Sequence, residues 1–380
     1  MKHDLICFCH LRWNFVYQRP QHLLTRFAKS GRVFVVEEPM YGATHNYLDV
    51  NQVKDQNVWV AIPHLMDGLD QQRIDEAQRS FINELIECFD ITEFIAWYYS
   101  PMPLTFSDQL HPDLVVYDCM DELSAFNNAP ASLKQLEEQL FERADVVFTG
   151  GHNLYKAKKS FHNNIFPIPS SIDKSHFSQA RLHEDDPADQ AAIPFPRIGF
   201  YGVVDERLNI ELVNEIASLR PDWHFVIIGP VVKIDSATLP RRDNIHYLGG
   251  KNYNELPAYL GGWNVAMMPF ALNRSTKYIS PTKTPEYLAG GKPVVSTSIT
   301  DVVDPYGTAG LVHIADAPMD FVKAISEALD TTNDEAWLQK VDEFLSGISW
   351  DKTYETMSHL IRLTLDSKNI IDTQKMKTYV

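Results

Sequence analysis

Ser280-Pro281-Thr282-Lys283-Thr284-Pro285-Glu286-Tyr287-Leu288-Ala289-Gly290-Gly291-Lys292-Pro293-Val294-Val295 is the stretch on which the fold of this chain turns. Upstream of it, 265–268 is a short apolar run, the pattern of a strand buried on both faces. A polar loop leads to helical spacing over 282–289, and Gly290-Gly291 ends that helix through a left-handed cap before a second apolar strand at 293–296. Strand, loop, helix and strand form the unit from which parallel sheets are built. The loop also carries chemistry. Ser280, Thr282 and the first amides of a helix gather where the helix dipole is positive, an anion site by geometry, and Lys283 can add a full charge. Charge-assisted hydrogen bonds contribute about 1.5–3 kcal/mol each, so three or four could hold a diphosphate without a metal. Glu286, one turn further on, could accept protons from two ribose hydroxyls. The plain alternative is an ordinary helix capped by Ser280, with Glu286 in solvent, and spacing leaves both open.

Working outward, the same alternation fills the rest of the second half. Strands are expected at 197–201, 224–228 and 245–248, with helices at 208–219, 255–260 and 318–329. The first half repeats it, with strands at 5–9, 32–36, 58–62, 94–98, 114–117 and 146–149 and helices at 21–29, 71–89 and 133–143. The expected fold class is therefore α/β, two doubly wound Rossmann-like domains over 1–177 and 197–349, with the ligand site in the cleft between them. Between them, 178–196 is acidic and proline-bearing (Glu184, Asp185, Asp186, Asp189, Pro194, Pro196) and reads as a linker or exposed hairpin. Helical patterns follow at 335–345 and 354–365, and a terminal helix over about 350–380 is expected to pack back on the first domain.

Composition narrows the function classes. The chain has 380 residues, 44% hydrophobic and 22% charged, which suits two globular domains. Lys plus Arg number 34 against 50 for Asp plus Glu, a net charge of −16, which argues against general affinity for nucleic acid or anionic lipid. Four cysteines without a C-x-x-C pair offer neither a zinc site nor a disulfide framework, and Cys7 and Cys9 read as packed thiols in a reducing cytosol. No targeting leader is read at the N-terminal end, and the longest uncharged apolar segments, 95–106 and 263–272, are short of the roughly 20 residues that span a bilayer. A soluble, cytoplasmic protein is expected, at most resting on the inner face of a membrane through Trp13, Phe15 and Tyr17.

Three places in the first half are candidate contacts. The loop 10–18 leaves the first strand with His10, Arg12, Trp13 and Tyr17, aromatic faces beside hydrogen-bonding groups that suit the apolar face and polar rim of a sugar. A surface loop with Trp13 packed beneath is the alternative. Asp118 and Asp121 end a strand and could orient hydroxyls or take a proton, while Asp118 could equally cap a turn. His152, beside Gly150-Gly151, is a cleft candidate or a structural histidine. Lys156, Lys158 and Lys159 read as one solvated helix face.

Several motifs, in order, resemble the family 4-like retaining glycosyltransferases of the GT-B fold. They are Ile198-Gly199-Phe200-Tyr201-Gly202 with Asp205-Glu206-Arg207, His224 to Pro230, Ile245 to Gly249, Val265 to Pro269, and the block from Pro281 to Val295. Within that family, His10-Leu11-Arg12-Trp13 and Tyr117-Asp118-Cys119-Met120-Asp121 are similar to signatures of bacterial surface-polysaccharide transferases of the teichuronic-acid type. The resemblance implies transfer of a sugar from a nucleotide diphosphate sugar, UDP-linked, to a hydroxyl of a glycan or lipid-linked glycan. It also implies retention without a protein nucleophile and without a metal or other cofactor.

Residue by residue, Glu286 matches the second glutamate of the family's Glu-x7-Glu motif, and Tyr278 stands where the first would be. Ser280, Pro281 and Thr282 match the loop that approaches the diphosphate, Gly202 and Arg207 match a glycine and an arginine near the phosphates, and Lys233 or Lys283 would supply the second cation. Asn252 and Tyr253 match the loop that brackets the base. Tyr99-Ser100-Pro101 stands where relatives have a cleft-facing histidine, so Tyr99 would meet the acceptor. Two rival readings share this architecture: a nucleotide-sugar 2-epimerase, which needs no acceptor, and a non-catalytic nucleotide-sugar-binding protein.

Overall fold

The computed structural model describes residues 3–182, 185–331 and 334–378, with side chains described as far as Ile370. His183 and Glu184 of the acidic segment lie outside the described residues. The chain divides into two compact units, Met1–Pro169 with Asp351–Val380, and Ser170–Trp350.

The first unit is built on a nine-stranded sheet. Its strands are β1 (Asp4–Cys9), β2 (Val33–Glu37), β3 (Met40–Tyr41), β4 (Tyr47–Gln52), β5 (Val58–Leu65), β6 (Phe94–Tyr98), β7 (Leu114–Cys119), β8 (Val146–Thr149) and β9 (Ile165–Pro167). Spatial order is β3-β5-β2-β1-β6-β7-β8-β9, parallel throughout except for β4, which pairs antiparallel with β5. The central strands are buried along almost their whole length because helices cover both faces. These are α1 (Arg19–Phe27), α2 (Gln71–Cys88), α3 (Leu104–Ser107), α4 (Leu133–Arg143) and α5 (His152–Lys158). Cys7, Cys9 and Cys119 are buried free thiols, as packed cysteines should be.

The second unit carries β10 (Arg197–Tyr201), β11 (His224–Ile228), β12 (Ile245–Gly249), β13 (Val265–Met268), β14 (Val294–Ser296) and β15 (Val312–Ile314). Their order, β12-β11-β10-β13-β14-β15, is the doubly wound Rossmann arrangement with its switch point between β10 and β13. Helices α6 (Lys174–Phe177), α7 (Ile210–Leu219), α8 (Leu256–Gly261), α9 (Lys283–Ala289), α10 (Thr300–Val302), α11 (Pro318–Asp330) and α12 (Glu335–Leu345) accompany it. Gly199 in β10 leaves room for the Trp263 ring, since a Cβ there would lie 1.9 Å from it. α9 ends in a Schellman motif, with Gly291 in the left-handed region (φ +73°) and the amides of Gly291 and Lys292 bonded to the carbonyls of Leu288 and Tyr287.

The long helix α13 (Trp350–Thr378) carries the chain back into the first unit. Arg26 pairs with Asp351 at 2.8 Å, Tyr354 meets Phe27 edge to face, and Lys368 reaches Asp145 at 2.8 Å. Among the described residues no helix is long and apolar enough to cross a membrane.

Two sequence expectations are corrected. The segment 178–196 is not an exposed hairpin; its described part is packed onto the second unit. Gln190 is wholly buried, donates to the Tyr259 carbonyl at 3.0 Å and accepts from the Trp263 indole at 2.9 Å. Asp186 accepts from buried Arg197 at 2.6 Å. The segment is polar because its side chains satisfy the Tyr259 carbonyl, the Trp263 indole and the Arg197 guanidinium, and polarity whose partners lie far along the chain looks like exposure. Lys158 is likewise not part of a solvated face. It is 7% exposed, and its ammonium bridges Glu122 and Glu137 at 2.7 Å each, while Glu137 also accepts from buried Tyr117.

Candidate active site

In the second unit the first three strands in sequence, β10, β11 and β12, each run out into a glycine: Gly202, Gly229 and Gly249. Gly202 (φ +142°) and Gly229 (φ +146°) adopt backbone open to glycine alone, and a Cβ on Gly229 would lie 1.8 Å from the Gly202 carbonyl oxygen. The Gly202 amide donates to the Ile228 carbonyl and the Gly229 amide to the Gly249 carbonyl, both at 2.8 Å. The result is a bare backbone ledge at the carboxyl edge of the sheet, beside its switch point. Lys283 lies over this ledge. A Cβ on Gly202 would lie 2.3 Å from Lys283 Cε and 2.7 Å from its Nζ. The same ammonium faces the rings of Phe200 and Phe270 at 5.7 and 5.8 Å.

One turn into α9, Glu286 is 6% exposed. Its Oε2 accepts from Tyr201 Oη at 2.7 Å, and Oε1 makes no hydrogen bond among the described residues. Burial pushes its pKa up to about 7, against the opposing pull of the Tyr201 hydroxyl and Lys283. Tyr201 is held in turn by Tyr287, whose hydroxyl accepts from the Tyr201 amide at 2.9 Å. Ser280, Pro281 and Thr282 are half-buried, and neither hydroxyl makes a hydrogen bond within the described residues. The helix is capped at Thr282 with no side-chain cap bond. A solvated Glu286 behind a serine cap is thus not what this segment forms.

The remaining expectations in this unit fall at different places. Arg207 donates through Nε and Nη2 to Asp205, which is 5% exposed, so its charge is already matched. Lys233 is exposed in the loop beyond β11, in the left-handed region (φ +61°). Asn252 forms a capping box with Glu255, and the Tyr253 ring stacks on His176 at 4.3 Å. Tyr278 is half-buried, with the Lys277 ammonium 5.1 Å from its ring.

In the first unit the structure corrects two candidates. Asp118 is wholly buried, and Arg19 holds both its oxygens, with Nη2 2.8 Å from Oδ1 and Nε 3.0 Å from Oδ2. Arg19 Nη1 also donates to the Ile168 carbonyl at 2.8 Å. A carboxylate so held is a structural partner and neither caps a turn nor takes a proton from a bound hydroxyl. Tyr99 is 1% exposed beside that pair and faces no solvent. Asp121 is half-buried and His152 exposed at the start of α5, so both stay accessible. In the loop 10–18, Arg12 donates to Glu37 at 2.9 Å, the Trp13 amide donates to the same carboxylate at 2.7 Å, and Tyr17 meets His22 edge to face. Trp13 is buried, as the alternative reading held, while Tyr17 remains 40% exposed.

Sequence reasoning missed Tyr201 and Tyr287. Their signal was an aromatic immediately before the strand-ending glycine and another adjoining the glutamate. Among the described residues no group of three or more His, Cys, Asp or Glu is arranged to hold a metal ion.

Residues 196–331 match the family model described as glycosyl transferases group 1. Over 258 residues the chain is 26% identical to the "Putative teichuronic acid biosynthesis glycosyltransferase TuaH" of Bacillus subtilis (strain 168), covering 63% of this chain and 65% of that protein. Among solved structures it is similar to sucrose-phosphate synthase of Thermosynechococcus elongatus, with a TM-score of 0.70 and 14% identity over 96% of this chain and all of that one. The E. coli trehalose-6-phosphate protein bound with UDP-2-fluoro glucose gives 0.70 and 12% over 94% and 98%. Anabaena HepE in complex with UDP gives 0.66 and 10% over 95% and 100%. At these identities the structural likenesses establish the fold, two Rossmann-like units of the GT-B kind.

Proposed function

We infer that this chain, which has the GT-B fold and a group 1 glycosyltransferase domain over residues 196–331, transfers a sugar from a UDP-linked donor to a hydroxyl of a glycan or lipid-linked glycan. The setting is bacterial surface-polysaccharide synthesis at the cytoplasmic side of the membrane. The observation that carries the reading is the Lys283 ammonium lying over the Gly202 ledge, one turn from a buried Glu286 with a vacant oxygen. The ledge lets a diphosphate approach bare backbone, Lys283 matches its charge, and Glu286 Oε1 accepts a ribose hydroxyl.

As the bond between the sugar's anomeric carbon and the diphosphate breaks, negative charge grows on the leaving oxygen. A preorganised ammonium and hydroxyls there favour the transition state more than the ground state. The acceptor hydroxyl bonds to the anomeric carbon on the same face, and its proton passes to the departing diphosphate, so configuration is retained. No metal is required in this scheme, because Lys283 with Ser280 and Thr282 fills the role of charge and donor. The UDP-bound HepE and the UDP-2-fluoro glucose complex support the choice of nucleotide, and the teichuronic-acid relative supports the acceptor class.

A screen of UDP-, GDP- and dTDP-sugars for thermal stabilisation tests the donor. UDP-sugars should raise the melting temperature of the wild type and fail to do so for Lys283→Ala. Equal stabilisation of both proteins, or of neither by any nucleotide sugar, refutes the assignment.

A further inference from the structure

Strand β4 closes one end of the first sheet. β5 carries β2 and β3 along one side and β4 along the other, and among the described residues no strand pairs with the outer side of β4. The ladder fixes which way its backbone faces. The Val53 amide donates to the Val58 carbonyl at 2.8 Å, and Asn51, Asp49 and Tyr47 stand opposite Val60, Ile62 and His64. Hydrogen-bonded rows alternate in an antiparallel pair, so residues 47, 49, 51 and 53 bond inward to β5. Leu48, Val50 and Gln52 therefore turn their amides and carbonyls outward, and none of these groups is hydrogen-bonded to another described residue.

Folded chains guard open edges with short strands, prolines, lysines or bulges, because a bare edge is a template for another strand. The other sheet ends follow that rule. β9 and β15 are three residues long, and β12 is flanked by Arg241, Arg242 and Lys251. β4 has six residues, an unbroken register and neither proline nor lysine. Its single charge is Asp49.

The edge is also complementary to itself. A two-fold axis normal to the sheet at Val50 sets Val50 opposite its own copy, Leu48 opposite Gln52, Asp49 opposite Asn51 and Tyr47 opposite Val53. Every outward amide and carbonyl of Leu48, Val50 and Gln52 then meets a partner. Tyr47, 40% exposed, gains a β-branched neighbour, the kind of cross-strand pair that stabilises sheets. The Asp49 carboxylate meets the Asn51 carboxamide, and neither side chain makes a hydrogen bond within the described residues. An axis at Asp49 overlaps the strand equally but sets two carboxylates directly opposite each other, which is unfavourable.

We propose that β4 is a dimerisation edge, at which a second copy of this chain adds its own β4 antiparallel about a two-fold axis at Val50. Such an interface is isologous and closes after two copies. It joins the sheets of the two first units into one, and it stands independently of glycosyl transfer.

Sedimentation velocity of the full chain, from low to high micromolar concentration, should show a monomer–dimer equilibrium. Val50→Pro removes an amide that β5 does not use, so the β4 ladder survives while the dimer should weaken at least about 10-fold. Far-UV circular dichroism checks the fold of that variant. Cross-linking reads the register without altering the backbone. In a Cys88→Ser background, which removes the exposed thiol, Val50→Cys should form an intermolecular disulfide under oxidised glutathione. Facing Cα atoms in a hydrogen-bonded row lie ~5.5 Å apart, within disulfide reach. Asp49→Cys faces Asn51 instead and should cross-link at least about 10-fold more slowly. A wild type that stays monomeric throughout, a folded Val50→Pro that associates as tightly as wild type, or Asp49→Cys cross-linking as fast as Val50→Cys overturns the proposal.

Discussion

Asp118 and Glu286 are both buried carboxylates near the strand ends of a Rossmann-like sheet, yet their surroundings differ in one respect. Both oxygens of Asp118 are taken by the Arg19 guanidinium, which also ties down the Ile168 carbonyl. Glu286 has a phenol on one oxygen, a lysine in reach and nothing on the other. A bidentate ion pair closes the account for a buried charge and leaves nothing for a ligand. A half-satisfied carboxyl stays near neutrality and responds to whatever arrives. Burial alone does not separate structural from functional groups; the count of unfilled hydrogen-bonding positions does.

The contrast can be broken at its closed end first. Arg19→Ala leaves Asp118 buried and unmatched, and should destabilise the chain by about 3–5 kcal/mol in urea unfolding. A loss under ~1 kcal/mol would mean the pair is not structural. At the open end, Lys283→Ala should lower transfer from a UDP-sugar by about 10²–10³-fold, the scale for removing one preorganised group facing a developing charge. Its melting temperature should stay close to that of the wild type, since Lys283 is half-buried and packs over the ledge.

Glu286→Gln sharpens the comparison through pH. The unfolded carboxyl releases its proton near 4.5 and the folded one near 7. Between those values the folded chain holds the extra proton, so stability falls as pH rises through the window and the penalty is complete above pH 7. The gap corresponds to on the order of 3 kcal/mol. Urea midpoints should therefore show Glu286→Gln ahead of wild type at pH 8 and level with it near pH 4. Donor affinity of the wild type should also rise between pH 6 and 8, because the ionised form accepts the ribose hydroxyl, and the variant should lack that rise. The smallest effect is expected from Gly202→Ala. Its φ of +142° and the approach of Lys283 should cost about 1–3 kcal/mol and weaken donor binding by displacing the ammonium.

Much of the fold was legible for one reason: strands covered on both faces must be apolar along their length. That made β1, β6, β8, β10, β11 and β13 plain within a residue. The edge strand β4, Tyr47–Gln52, escaped because it is half-exposed and mixes Asp49, Asn51 and Gln52 with apolar residues. The two-residue β3 and the three-residue β9 and β15 are too short for any period to register. In the second unit, the glycine at the end of β10 and the helix entered at Ser280 to Glu286 were readable from residue types, because only glycine tolerates that backbone and the strand–loop–helix pattern is local.

Residue order by itself determined two alternating α/β halves and the local chemistry of the loop into α9, because periodicity and backbone tolerance act over a few neighbours. Tertiary structure alone decided which charges are finished and which are open. Arg19 and Asp118 are 99 positions apart, and Tyr201 and Glu286 are 85 apart. Whether a buried group finds a partner depends on what the fold carries to it across the sheet, and no local pattern records that.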